Sequence, residues 1–185
     1  MSSIHGIINL YMQWSQFQPR PSTSHEGIEQ PVVNQKPDWT YSVNGSVPAD
    51  AYCIDDDDDD INAHPAHVGA HFTPNFGFIP GMLLPEVGVV GVLPDDAKNT
   101  FTERQHYFAL VGMDFFWRPY DSKKWKYIPP DAFTIMNEKK GLYLIGRREV
   151  DGVFLVGMII GEVLYVRKKD EVLIIDDRYE ILCKK

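Results

Sequence analysis

The sequence predicts an all-β fold, with two intertwined tandem repeats forming a β-sandwich or barrel-like domain, and three observations carry that expectation. Residues Leu142 to Leu182 read as strand after strand broken by short polar turns, LYLIGRREVDGVFLVGMIIGEVLYVRKKDEVLIIDDRYEIL. A degraded copy of the same pattern lies between His67 and Leu110. Prolines at 74, 80, 85, 94, 119, 129 and 130 interrupt most helical stretches of useful length, because proline lacks an amide donor and clashes with the preceding turn.

Before the repeats, Ile4, Ile7, Ile8, Tyr11 and Met12 fall at helical spacing, which fits a short amphipathic helix or a loosely ordered tail. The stretch lacks the basic start of a secretory signal. From Gln18 to Pro37 the chain is rich in Pro, Ser and Gln with few aliphatics and reads as a linker, too polar to offset the entropy of ordering. The expected organisation is a tail over 1–37 and a repeat domain over 38–184, with repeat one at about 39–112 and repeat two at about 117–184.

The echo between the copies is residue by residue. Val68-Gly69-Ala70-His71 lies over Ile145-Gly146-Arg147-Arg148, and Gly81-Met82-Leu83-Leu84 over Gly157-Met158-Ile159-Ile160. Val87 to Val90 falls against Val163 to Val166, and His106 to Leu110 against Arg178 to Leu182. Upstream, Val47-Pro48-Ala49-Asp50-Ala51 matches Ile128-Pro129-Pro130-Asp131-Ala132, with Trp39 preceding the first and Trp117 or Trp125 the second. A self-similar unit of this size buries its apolar face against its neighbour, so one domain of two halves is expected. Within the second copy, Asp151-Gly152 between β-formers is a hairpin signal. Glu162 to Val166 and Glu171 to Ile175 flank a second turn at Arg167-Lys168-Lys169-Asp170.

At 185 residues and 44% hydrophobic content, the chain suffices for one sizeable core. No stretch reaches about 18 uninterrupted apolar residues, so no membrane span is expected. A formal charge of −8 argues against nucleic acid as a partner, since phosphate binding needs a basic face. Two cysteines, Cys53 and Cys183, are too few for a disulfide framework and point to a reduced, cytoplasmic chain, the first in a buried strand and the second exposed near the C-terminus.

The order of landmarks resembles that of the DM-nine repeat family: a tryptophan, Pro-x-x-Ala, Tyr-x-x-Gly-Arg, Pro-Gly-Lys with aliphatics, then Tyr-Glu-x-Leu. The second copy carries it in Pro130-Asp131-Ala132, Tyr143-Leu144-Ile145-Gly146-Arg147, Gly157-Met158 and Tyr179-Glu180-Ile181-Leu182. The first carries it in Trp39, Pro48 to Ala51, His67 to His71, Pro80-Gly81-Met82 and Tyr107 to Leu110. The resemblance implies paired repeats that exchange strands and, for some members, binding of mannose-type sugars with a role in innate recognition. It also implies that an acidic residue ahead of the Gly-Arg strand and the lysine of Pro-Gly-Lys recognise the sugar. Here Met82 and Met158 stand in place of that lysine, and Ala70 replaces the arginine in the first copy. Acidic candidates are Glu138 in one half and Asp60 or a neighbour in the other.

Sugar recognition requires planar hydrogen-bonding groups beside an apolar ring, because each hydroxyl that loses water needs a new partner. Glu138, Arg147 and Asp151 are candidates for the polar groups, and Trp39 or Trp117 for the ring, although tryptophans in such strands also anchor β-cores. The run Asp55 to Asp60 repels itself and belongs in an exposed loop. His67 and His71 alternate on a strand and share a face, so His71 is a further ligand candidate, and with a third group the pair would suit zinc. The spacing matches no metal motif, and no metal or cofactor is expected. Gly-x-Ser-x-Gly, His-Glu-x-x-His and phosphate-cradling loops are missing from the sequence, which argues against an enzyme. The expectation is a glycan-binding domain, with a non-catalytic protein-interaction or structural module as the alternative. A glycan or protein is the expected partner, with homo-oligomerisation left open.

Overall fold

The described residues of the computed structural model, which are 38–55, 65–95, 97–125, 127–137 and 141–185, contain thirteen strands joined by turns and loops, and no helix. The expected tail, helix and linker over 1–37, Asp60 with most of the aspartate run, and Glu138 lie outside the described residues.

The first repeat supplies β1 (Trp39–Ser42), β2 (His67–Thr73), β3 (Gly77–Leu84), β4 (Gly88–Val92), β5 (Thr100–Glu103) and β6 (Tyr107–Leu110). They form an antiparallel sheet in the order β1-β6-β2-β3-β4-β5. The second repeat supplies β7 (Phe115–Asp121), β8 (Thr134–Asn137), β9 (Gly141–Val150), β10 (Val153–Ile160), β11 (Val163–Lys168), β12 (Glu171–Ile175) and β13 (Arg178–Lys184). Its sheet runs β12-β11-β10-β9-β13-β7, with β8 paired to the start of β9. Leaving β8 aside, the two orders are the same, strand for strand. The sheets pack together as a sandwich, β3 against β10 and β4 against β11, and neither closes into a barrel.

The registers fix the correspondence. Gly69 pairs with Gly81 and Ala109, as Gly146 pairs with Gly157 and Ile181. Trp39 sits opposite Leu110 and Trp117 opposite Leu182, so Trp117, not Trp125, is the counterpart of Trp39. Ala51 and Ala132 each bridge to the residue after those leucines. One stretch of the sequence alignment needs correction. Met82 pairs with Val90 and Met158 with Tyr165, which sets Val89 on Leu164 and Val90 on Tyr165, one residue from the expected match. The error arises because four apolar β-formers in a row have no internal period to mark the register.

Exchange of strands between repeats, implied by the resemblance, is not found among the described residues, since each sheet draws its strands from one repeat. The halves interlock through side chains instead. Trp39 packs against Phe133, and Tyr52 against Phe115 and Trp117. Lys184 pairs with Asp38 at 2.6 Å, and Arg167 donates to the carbonyl of Phe101 at 2.6 Å. Tight turns match the sequence signals: Asp151 (φ 53°) and Gly152 (φ 78°) both adopt the left-handed conformation that a two-residue hairpin of this hand needs. The second turn is only Lys169-Asp170, because β11 continues through Lys168. Cys183 is buried rather than exposed, since β13 runs to Lys184 between β7 and β9; burial pushes its thiol up to about 11.

Candidate functional site

Alternation along four neighbouring strands of the second sheet places a row of polar and aromatic side chains on one face. Arg147 on β9 lies opposite Glu180 on β13, and Glu180 lies opposite Pro119 on β7. Two residues further along each strand, Arg178 faces Asp121 and Glu149 faces Phe154 of β10. These residues line an open groove of about 540 Å³. Its wall is completed by the loop after β7, where Lys124 and Trp125 stand over the end of the strand.

Arg147 forms the floor. Its guanidinium is held between the rings of Trp117 (4.8 Å) and Phe154 (4.2 Å), an arrangement favoured by the negative ring faces. Its Nε donates to Glu180 Oε2 at 2.5 Å, and Nη1 donates to the carbonyl of Ile54 in the first repeat. With only 7% of the residue exposed, this cation positions the groove rather than reaching into it. Its acidic partner is thus Glu180.

The reachable groups lie around it. Trp125 is 47% exposed and is held edge-on by Tyr120, whose hydroxyl donates to the Trp125 carbonyl at 3.1 Å. Asp121 pairs with Lys124 at 3.4 Å, and Arg148 donates to the carbonyl of Arg178. Carboxylates, guanidinium groups and one open indole therefore converge on one depression. Such a set offers planar donors and acceptors next to an apolar ring face.

The first repeat lacks this site at the matching position. Ala70, Phe108 and Phe78 stand where Arg147, Glu180 and Phe154 do, and Phe78 packs on both Trp39 and Phe108. Polar groups at the one place are replaced by a sealed aromatic cluster at the other.

Of the other residues expected from sequence, Trp117 meets Arg147, while Trp39, Asp151 and His71 lie elsewhere. Trp39 is 1% exposed with Phe78 and Phe133 against it, which makes it a core anchor and not a ring face for ligand. Trp117 is 9% exposed and serves the same end through Arg147. Asp151 is at the distant β9–β10 turn, paired with Lys168. His71 is on the first sheet, 3.8 Å from Glu103 and against Phe101, and burial lowers its pKa against the opposing pull of that carboxylate. His67 shares its face of β2, yet no group of three metal-binding side chains occurs among the described residues. Sequence reasoning missed Trp125 and Glu180 as site residues. The signals were present: a tryptophan between Lys124 and Lys126 suits a loop better than a core strand, and Glu180 breaks an apolar strand where the first copy has Phe108.

Neither protein-family models nor curated proteins give a match to this chain.

Proposed function

We propose that this chain is a non-catalytic, lectin-like domain that binds a mannose-type glycan in the groove over Arg147, with a role in innate recognition as the biological reading. The observation that carries it is the half-exposed Trp125 ring standing beside Asp121, Glu149, Arg178 and Glu180 in one open depression. A pyranose has a face of C–H groups that stacks on an indole and a rim of hydroxyls that pair with carboxylates and guanidinium groups. A groove of this volume is in the range that holds a small saccharide. The neutral charge of such a ligand also suits a chain of net charge −8.

A second reading, an interaction or structural module, is supported by a different observation. Met158 is fully buried with Ile79 and Val92, so the position that the family resemblance associates with sugar recognition is part of the apolar interior. The two readings separate on a glycan array and a mannose-agarose column. The lectin reading expects retention, lost on Trp125→Ala by about tenfold or more, about 1.4 kcal/mol of binding. No retention on either would leave the interaction module.

A further inference from the structure

We propose a second binding site, for a single-chain anionic amphiphile such as a fatty carboxylate, in the cavity between the sheets at Met82. The quasi-equivalence of the two repeats locates it. Met82 and Met158 occupy matching places in the two sheets, each packed toward the opposite repeat. Around Met158 the space is filled by Phe76, Leu93, Ala97 and Phe101, all from the first repeat. Around Met82 a cavity of about 420 Å³ remains.

Loop length is the physical cause of the difference. In the first repeat the β2–β3 hairpin closes with three residues between Thr73 and Gly77, one of which is Phe76, and the β4–β5 connection is long enough to bring in Leu93 and Ala97. In the second repeat the matching connections are two-residue turns, Asp151-Gly152 and Lys169-Asp170, which carry no apolar side chain. The corner over Met82 is thus left uncovered, with Leu84, Val90 and Leu155 as walls and Val87 and Val153, 41% and 57% exposed, at its mouth. Apolar walls of this kind favour transfer of a hydrocarbon chain from water.

Charge selects the head group. Arg167, Lys168 and Lys169 line one side of the opening. Lys168 pairs with Asp151 and Arg167 with Asp170, while the Lys169 ammonium has no ion-pair partner among the described residues. One cation is in excess at the mouth of an apolar cavity, an arrangement complementary to a carboxylate with an alkyl tail and unfavourable to an alkyl ammonium.

The test is a titration of the full chain, labelled at methionine methyl groups, with dodecanoate below its micelle concentration and with dodecyltrimethylammonium as comparator. A saturable shift of the Met82 methyl resonance is expected with dodecanoate, the Met158 resonance staying in place. Lys169→Glu should weaken that binding about tenfold, Val153→Trp should abolish it without lowering the melting temperature, and Trp125→Ala should leave it unchanged. Absence of a saturable Met82 shift, equal affinity for the cationic amphiphile, or indifference to Lys169→Glu would each overturn the proposal.

Discussion

Arg147 is the residue at which the two repeats differ most in chemistry. Burying a guanidinium is costly unless its charge and donors are met, and here Glu180, the Ile54 carbonyl and two aromatic faces meet them. Removing it leaves Glu180 without its cation, so Arg147→Ala is expected to cost about 3 kcal/mol in a urea unfolding experiment. The first repeat shows the apolar solution at the same place, Ala70 facing Phe108. Arg147→Ala combined with Glu180→Phe should therefore recover more than half of that loss; a double variant no more stable than the single one would show that the two positions are not equivalent. His71 gives a pH dependence of definite sign. Burial lowers its folded pKa below the ordinary 6.5, so the unfolded chain takes up the proton first and stability falls as pH drops through and below 6.5. His67, lowered by the same cause, adds to that slope, and Glu103 beside His71 reduces it. Thermal melts between pH 7 and 5 should decline, and His71→Phe should flatten the decline.

Glycines let two strand pairs approach closely, β3 with β4 and β10 with β11. A methyl group on Gly157 would lie 1.9 Å from the Tyr165 carbonyl oxygen, and one on Gly81 would lie 2.3 Å from that of Val90. These carbonyls belong to the neighbouring strand, so the backbone itself must shift. Gly157→Ala and Gly81→Ala should each destabilise the fold by about 3 kcal/mol, at the upper end for overpacking, as read from denaturant midpoints. A loss below about 1 kcal/mol would mean that β10 and β11 separate more easily than their register suggests. The same glycines explain how much of the fold was legible. Gly69, Gly81, Gly146 and Gly157 punctuate their strands, and their spacing set the correspondence of two strand pairs, β2 with β9 and β3 with β10. The match of β4 to β11 slipped by one residue because Val87 to Val90 has no such mark beyond Gly88, which aligned with Leu164 as readily as with Val163. At the groove, Arg147 was legible from its motif; Glu180 and Trp125 carried local signals, but contact across β9 and β13 or between a loop and a strand end leaves no spacing in the chain that joins them to it.

For the molecule as a whole, repetition gave a scaffold and divergence gave a groove and a cavity. One all-β domain of two halves was expected from two copies of one pattern; that each copy keeps its own strands in a sheet of its own was not, because strand order depends on pairing choices that apolar alternation does not encode. The copies then part ways at two places. Polar residues replace an aromatic cluster around Arg147, and short turns replace long connections around Met82. The glycan proposal rests on the first of these. Its most direct test follows the four tryptophan indole N–H resonances during titration with a mannose oligosaccharide up to about 10 mM, a range that captures weak lectin affinities. A saturable shift of Trp125, with the buried Trp39 unmoved and the response lost in Glu180→Gln or Asp121→Asn, is the expected result. Unchanged Trp125 at full titration would contradict the account.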